Sequence, residues 1–408
     1  MRQRPLTRIL AAGLALTLLG AACSDDDDGG DEATGTSTTV ADGSTEAEGE
    51  SALTPVLATG VATTYADLVF AAYDANVTAA TALHDAIDAF VEAPSEEGLQ
   101  AAKDAWLAAR DVYGPTEVFR FYDGPIDDPE DGPEGQINAW PMDEAYVDYT
   151  TDDPEAGLVA DTETLPEITE ETITAVNEEG GETNISTGWH AIEFLLWGQD
   201  LSEDGPGARP VTDYTDDPNA ERRGQYLSAL AHLLIADLEG VRDQWTPDGG
   251  AYREEFLSDP DQAVTNILRG MGALSAGELA GERMLVAYDT QDQEDEHSCF
   301  SDNTIADVVN NAKGIQLAYT AEYEGVGGVS LQSVVAEVAP DIDTQLTEEL
   351  EANVAAAEAL GELGTFDQII VDETGREELR TVAEALQAQG DTIAELANAL
   401  GFEISLEI

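Results

Sequence analysis

The sequence predicts an all-α protein of two helical bundles with a long functional loop region. Apolar residues recur at alternating spacings of three and four along the chain, and no segment shows the sustained apolar-polar alternation of a strand. A faint repeat, ANVTAATAL at 75–83 and ANVAAAEAL at 352–360, predicts that the two bundles are related, although Ala-rich helices also match by chance.

The first predicted helix carries Leu83, Ile87 and Phe90 on one face and ends before Ser95, the expected N-cap of the next helix. The two later stripes have the same spacing: Leu99, Ala102, Trp106, Ala109 and Tyr113, then Leu379, Val382, Leu386, Ile393, Leu396 and Leu400. We expect a helical body over 53–408, with a first bundle at about 53–200 and a second at about 220–408. Residues 123–187 are rich in Gly, Pro, Asp and Thr, and long loops of this kind are usually functional.

Charge excludes one large class of function. Of the 408 residues, 85 are Asp or Glu and 16 are Lys or Arg, which gives a formal net charge of -69. Such a field repels phosphate backbones and therefore excludes nucleic acid as a partner. It favours cations and equally suits a surface adapted to high salt.

The N-terminus predicts export and a membrane anchor. Residues 1–22 combine a basic start with a short apolar run and small residues, as a secretory signal peptide does. Cys23 follows directly and resembles the lipidated Cys of the bacterial lipobox, with Gly20 where that pattern usually has Leu. We expect residues 23–52 to be the lipidated Cys and a disordered acidic tether holding the body in the periplasm or at the cell surface. An ordinary cleaved signal remains the alternative.

One motif carries candidate chemistry. The segment STGWHAIEFLLWGQD, residues 186–200, reads as a short apolar helix that Ser186 or Thr187 caps and Gly198 ends. His190 and Glu193 lie on the same face of this helix, three residues apart. A buried carboxylate needs compensation, and a metal ion held by both side chains would supply it. A hydrogen bond between His190 and Glu193, or an Arg partner from another helix, would supply it equally.

The motif resembles the GxHxxE signature of the imelysin-like proteins, with Gly188, His190 and Glu193 at its fixed positions. The segments 101–127, 134–149, 205–214 and 275–304 resemble the branch of that family called iron-regulated protein A. The resemblance implies two helical bundles outside the cytoplasm, a role in iron or other metal acquisition, and a site at the domain interface. It also implies a class of metallopeptidases. Ile305 stands where close relatives are expected to have His.

The peptidase implication meets a difficulty in the motif. Zinc peptidases use HExxH or HxxEH, and neither pattern occurs here, since Phe194 occupies the second His position of the inverted form. Three hypotheses stay open: metal binding through His190 and Glu193, a metallopeptidase using the same pair, and a non-metal module with the pair as a buried polar network under a ligand cleft. Binding without turnover is the simplest.

The expected cofactor is a divalent or trivalent metal ion, with iron favoured and zinc or calcium as alternatives. The expected partners are the metal ion or a metal complex, the membrane through the lipid anchor, and iron-uptake proteins.

Further ligands are expected from two other regions. Glu278 and Glu282 are predicted one helical turn apart, and His297 is expected to face inward beside Cys299, itself a free thiol or small core residue. Arg120 is a candidate counter-ion of Glu193 or a holder of a substrate carboxylate. The possible further site comprises Glu117, Arg120, Glu282, Arg283, Asp295 and His297. His84 and His232 are interpreted as structural.

Overall fold

The computed structural model describes residues 53–202 and 205–408, which belong to one compact unit. The predicted signal peptide, the predicted lipidation site Cys23 and the predicted tether up to residue 52 all lie outside the described residues. The division of the body into bundles at about 53–200 and 220–408 stays a prediction.

The described residues contain no strand, so the all-α prediction is confirmed. The α-helices are α1 (Pro55–Glu92), α2 (Glu96–Tyr113), α3 (Glu134–Ile137), α4 (Glu144–Val147), α5 (Glu170–Ala175), α6 (Gly188–Trp197), α7 (Ala220–Gln244), α8 (Ala251–Ser258), α9 (Pro260–Gly272), α10 (Val286–Thr290), α11 (Thr304–Thr320), α12 (Leu331–Val338), α13 (Pro340–Leu360), α14 (Phe366–Val371) and α15 (Glu373–Leu400).

Local sequence explains where α1 and α2 begin. Thr54 caps α1, with Pro55 in the first turn, where its missing N–H costs nothing. Ser95 caps α2 as predicted, because its hydroxyl accepts a hydrogen bond from the backbone N–H of Gly98 at 3.1 Å. The predicted stripe of α2, from Leu99 to Tyr113, is buried.

Helix α1 is the central element of the first half of the body. It has 38 residues and by length and composition alone could cross a membrane, but 56% of its most apolar stretch is buried in the body. It packs against α2, α7 and α9. This burial is typical of a core helix in a globular protein.

The helices of the proposed repeat lie in comparable settings. Residues 75–83 belong to α1, which packs on α2, and residues 352–360 belong to α13, which packs on α15. The short helix α14 lies between α13 and α15, whereas α1 leads directly to α2. The kinship of the two halves stays a prediction.

The segment between α9 and α10 departs from α-helical geometry. Residues Ala273–Leu285 form a π-helix, in which hydrogen bonds join residues five apart instead of four. Arg283, five residues after Glu278, therefore lies one turn from it, and their side chains form an ion pair at 3.0 Å. Glu278 and Glu282, predicted one helical turn apart, are four residues apart in this same helix.

Candidate functional site

Helix α6 holds the motif in the interior of the protein. Every residue from Gly188 to Trp197 is buried, as predicted. Gly188 has a φ of +82°, and a Cβ there would lie 2.4 Å from the carbonyl oxygen of Ile137, so only glycine fits this position. Gly198 ends the helix with a φ of +72°.

His190 and Glu193 contact each other directly. The distance from Nδ1 of His190 to Oε2 of Glu193 is 2.9 Å. The other carboxylate oxygen, Oε1, accepts hydrogen bonds from the backbone N–H of Ser301 at 2.9 Å and from its hydroxyl at 2.6 Å. The suggestion that Arg120 is the counter-ion of Glu193 is wrong, because Arg120 forms its ion pairs elsewhere.

Burial governs the ionisation of the pair. It raises the pKa of the Glu193 carboxyl to about 8, and the hydrogen bond from the Ser301 hydroxyl only partly opposes this rise. It lowers the pKa of His190 well below the usual range, and nearby His297 lowers it further. The imidazole of His190 is therefore neutral at physiological pH, the form in which histidine binds metals.

Two aromatic side chains surround the imidazole of His190. The ring centres of Trp140 and His297 lie 4.9 Å and 4.8 Å from that of His190. The second ring nitrogen of His190, Nε2, is buried and has no hydrogen-bond partner. A buried polar atom without a partner is rare in native proteins and points to a bound water, ion or ligand.

His297 begins a chain of buried polar contacts. It faces inward, as predicted, and its Nδ1 lies 2.9 Å from Oδ2 of Asp307. Asp307 forms an ion pair with Arg110 at 3.1 Å, and Arg110 donates a hydrogen bond to Asn138 at 2.6 Å. Burial opposes ionisation of Asp307, but the charge of Arg110 and the contact with His297 hold its pKa well below the usual range.

Glu117 is the other acidic centre of this network. Its carboxylate lies 2.9 Å from Arg120 and 2.7 Å from Arg283, and it accepts a hydrogen bond from Asn138 at 2.9 Å. Burial alone would raise the pKa of Glu117, but Arg283 and Arg120 outweigh it and lower the pKa to about 2. Arg120 also pairs with Glu134 at 3.0 Å.

An acidic cavity of about 430 Å³ opens beside this network, and both Trp140 and His297 line it. Its basic lining residues are Arg120 and Arg283. Its acidic lining residues are Glu134, Glu178, Glu182, Glu278, Glu282 and Asp295. Glu134 and Glu278 are paired with the arginines, whereas the other four form no ion pair in the part of the chain that the structure describes. The cavity therefore carries excess negative charge.

The structure gathers most of the predicted residues around this cavity. Arg120, Glu282, Arg283, Asp295 and His297 line it. Glu117 is buried against Arg120 and Arg283, and His190 and Glu193 lie behind Trp140 and His297.

The other two histidines lie apart from the cavity. His84 and His232 stack on each other, and the side chain of His232 is 60% exposed. Sequence reasoning missed Ser301, Asp307, Arg110, Asn138 and Trp140 as neighbours of the site. Four of these residues lie in segments that carry the family resemblance, and that signal could have indicated them: Arg110, Asn138, Trp140 and Ser301.

The imidazoles of His190 and His297 and the carboxylates of the acidic cavity offer some, but not all, of the ligands that a metal ion needs. Within residues 53–202 and 205–408, no three His, Cys, Asp or Glu side chains are placed to hold a metal ion. A closed zinc site is therefore not formed here. The unpartnered Nε2 of His190, with His297 and the cavity carboxylates nearby, fits a cation bound to imidazole and otherwise surrounded by water and carboxylate oxygens.

Comparison with known proteins agrees with the fold and the family resemblance. The sequence model of the imelysin family, designated peptidase family M75, matches residues 69–393. "Iron-regulated protein A" of Synechococcus elongatus is 28% identical over 338 residues, covering 80% of this chain and 82% of that protein. A crystal structure from Parabacteroides distasonis, named a "putative iron-regulated protein A precursor", has a TM-score of 0.67 at 20% identity. It covers 85% of this chain and 96% of its own. The chain belongs to the imelysin family.

Proposed function

We propose that the protein binds a metal cation outside the cytoplasm in an iron-related role, with the acidic cavity as the path to His297 and His190. The name of the Synechococcus relative supports the link to iron, and the word precursor in the name of the Parabacteroides protein supports export. The metal is cargo in this proposal.

The observation that carries the proposal is the charge of the cavity. Six carboxylates and two guanidinium groups line it, and both guanidinium groups are already paired with glutamates. Glu178, Glu182, Glu282 and Asp295 remain without a cationic partner among the described residues. Their combined field concentrates cations at the mouth of the cavity and disfavours anionic ligands.

The two imidazoles provide nitrogen donors near that charge. Nδ1 of His190 is held by Glu193, and Nδ1 of His297 is held by Asp307, so Nε2 is the remaining nitrogen of each ring. Metal-binding histidines usually have this arrangement, in which a carboxylate orients the ring through the nitrogen that does not bind metal. Glu193 is therefore a positioning residue in this proposal, and His190 is the donor.

Hydrolysis is the competing function because of the family's peptidase designation. A metallopeptidase needs three protein ligands, an open position for water, and a base to activate it. Both oxygens of Glu193 are already hydrogen-bonded, to His190 and to Ser301. This observation favours binding over turnover.

Export and anchoring form a separate part of the proposal. Residues 1–22 act as the signal peptide and Cys23 carries the lipid. Replacing Cys23 with Ser should move the protein from the membrane to the soluble fraction of a bacterial host. A variant that stays in the membrane fraction after signal cleavage contradicts the lipid anchor.

Titration calorimetry with Fe²⁺ under anaerobic conditions, and with Zn²⁺ and Mn²⁺, tests the binding site. His190→Ala and His297→Ala should each lower affinity by at least about tenfold, because loss of a ligand should cost at least as much as loss of a residue that only orients one, which costs ~10 to 100-fold. Glu193→Gln should weaken binding less than His190→Ala.

His232→Ala is the matched control, because its ring is exposed and far from the motif in sequence. It should bind as the wild type does. Equal affinity in wild type and His190→Ala contradicts the site. Protein cleavage by the wild type that Glu193→Gln abolishes favours the peptidase instead.

A further inference from the structure

A second group of carboxylates lies outside the cavity. Asp200 follows the end of α6, Glu296 and Asp302 lie in the segment before α11, and Asp367 lies in the first turn of α14. We call these residues the four-carboxylate cluster. Asp200, Glu296 and Asp367 are 3%, 1% and 7% exposed. None of the four lines the acidic cavity.

Three oxygens of this cluster have no hydrogen-bond partner. Oε2 of Glu296 and both carboxylate oxygens of Asp302 are inaccessible to solvent and unpartnered. A carboxylate has about four acceptor positions, and buried carboxylates almost always use them. Thr304 hydrogen-bonds Glu296, and the backbone N–H of Ser202 donates to Asp200 at 3.0 Å, but these contacts leave the three oxygens unsatisfied.

The cluster also lacks a cation from the chain. No Lys, Arg or His of the described residues forms an ion pair with any of its four members, whereas the buried Glu117, Asp148 and Asp307 are each paired with arginine. Asp367 repels the carboxylates of Asp200, Glu296 and Asp302, so the four acidic groups lie within electrostatic range of one another. Uncompensated buried charge of this kind costs several kcal/mol per ion.

We propose that the four-carboxylate cluster binds a hard divalent cation, Ca²⁺, at a site separate from the acidic cavity. All of its donors are oxygens, which Ca²⁺ prefers, and no imidazole or thiolate belongs to it. No three of these side chains converge closely enough to hold an ion by themselves. Water therefore completes the coordination. Ca²⁺ accepts this, with six to eight ligands in flexible geometry, whereas Mg²⁺ demands a near-ideal octahedron.

The cation would connect three parts of the chain. Asp200 is three residues beyond Trp197, the end of α6, and Asp367 belongs to α14. Glu296 is the neighbour of His297, and Asp302 is the neighbour of Ser301, which holds Glu193. Binding at the cluster would therefore fix both ends of the segment that delivers His297 and Ser301 to the candidate site.

The test uses the purified mature protein after removal of divalent ions with a chelator, in 1 M NaCl to screen weak binding to the acidic surface. Ca²⁺ at about a hundred times its dissociation constant should raise the melting temperature by about 3 °C. Mg²⁺ should raise it less. Calorimetric titration of the wild type should give one Ca²⁺ per chain under these conditions.

Variants locate the ion. Asp302→Asn and Glu296→Gln keep the side-chain shape and should each lower Ca²⁺ affinity more than about tenfold. Asp289→Asn is the matched control, because Asp289 is exposed and forms no ion pair among the described residues, and it should respond as the wild type does. His190→Ala should keep the full Ca²⁺ response, which separates this site from the proposed metal site of the cavity.

Two results overturn the proposal. One is a melting temperature of the chelator-treated wild type that Ca²⁺ does not change. The other is an equal Ca²⁺ affinity in wild type and Asp302→Asn. Either result means that the cluster is stabilised by protons and hydrogen bonds within the chain.

Discussion

Two groups of acidic side chains in this protein differ in their charge partners. Glu117 and Asp307 lie among Arg110, Arg120 and Arg283, at distances of 2.7 to 3.1 Å. The four-carboxylate cluster of Asp200, Glu296, Asp302 and Asp367 forms no ion pair with a basic side chain within residues 53–202 and 205–408. Arginine side chains neutralise the first group, whereas the second group has no such partner in the part of the chain that the structure describes.

The contrast between the two groups reflects where the few basic residues lie in the structure. The chain has 16 Lys and Arg against 85 Asp and Glu, yet Arg110, Arg209, Arg223 and Arg283 are all buried in ion pairs. Removing one partner of a buried ion pair strongly destabilises a protein, so these arginines stabilise the buried carboxylates that they contact. The remaining buried acids are candidates for binding ions from solution.

Removing an arginine from the paired group should have the largest effect. Arg110→Met leaves Asp307 buried without its cation and should lower the free energy of unfolding by about 3 to 5 kcal/mol. Denaturant unfolding measures this. Arg380→Met is the control, since the side chain of Arg380 is 54% exposed and its loss should change stability by less than about 0.5 kcal/mol. A small effect of Arg110→Met would mean that the ion pair of Arg110 and Asp307 contributes little to stability.

Acid should weaken the paired group through Glu117. Its folded-state pKa of about 2 lies below its unfolded value, so its contribution is present above about pH 4.5 and is lost as pH falls towards 2. The contribution amounts to about 3 kcal/mol. The stability of Glu117→Gln should therefore depend less on pH over this range than that of the wild type.

The exposed Glu337 provides the comparison for this measurement. Glu337→Gln should follow the wild-type dependence on pH. Parallel curves for Glu117→Gln and the wild type would show that Glu117 does not titrate as described.

Neutralising a member of the unpaired group should have a smaller effect of the opposite sign. In chelator-treated protein, Asp200→Asn removes a buried charge that faces other carboxylates, while the amide oxygen still accepts the N–H of Ser202. We expect the free energy of unfolding to rise by about 1 kcal/mol. Thermal and denaturant unfolding measure this change. A loss of stability similar to that of Arg110→Met would remove the contrast between the two groups.

Local patterns were sufficient to predict the fold and the motif helix. The spacing of Leu99 and its partners, the cap at Ser95 and the end of α6 at Gly198 depend on residues a few positions apart, and the structure has them as predicted. The predicted side-chain cap of α6 is wrong, because the hydroxyl of Ser186 donates to the carbonyl of Ile173 and that of Thr187 to Asn177.

Contacts between distant segments were not predictable from one sequence. Ser301 is 108 residues from Glu193, and Asp307 is 197 residues from Arg110. Nothing in either local segment indicates the other. The π-helix at Ala273–Leu285 was missed because its hydrogen bonds join residues five apart instead of four, and the sequence pattern does not show this small difference from an α-helix. The four-carboxylate cluster was not predicted, because nothing in the sequence distinguishes its members from the other Asp and Glu residues, 85 in all.

The central claim is that a metal cation reaches the imidazoles behind the acidic cavity. The most direct measurement is an anomalous difference map at the iron absorption edge, from crystals of the mature protein equilibrated anaerobically with Fe²⁺. The account predicts a peak at bonding distance from Nε2 of His190 or His297, and its loss in His190→Ala. A map with no peak at either imidazole, or with peaks only at exposed acidic residues, would contradict it.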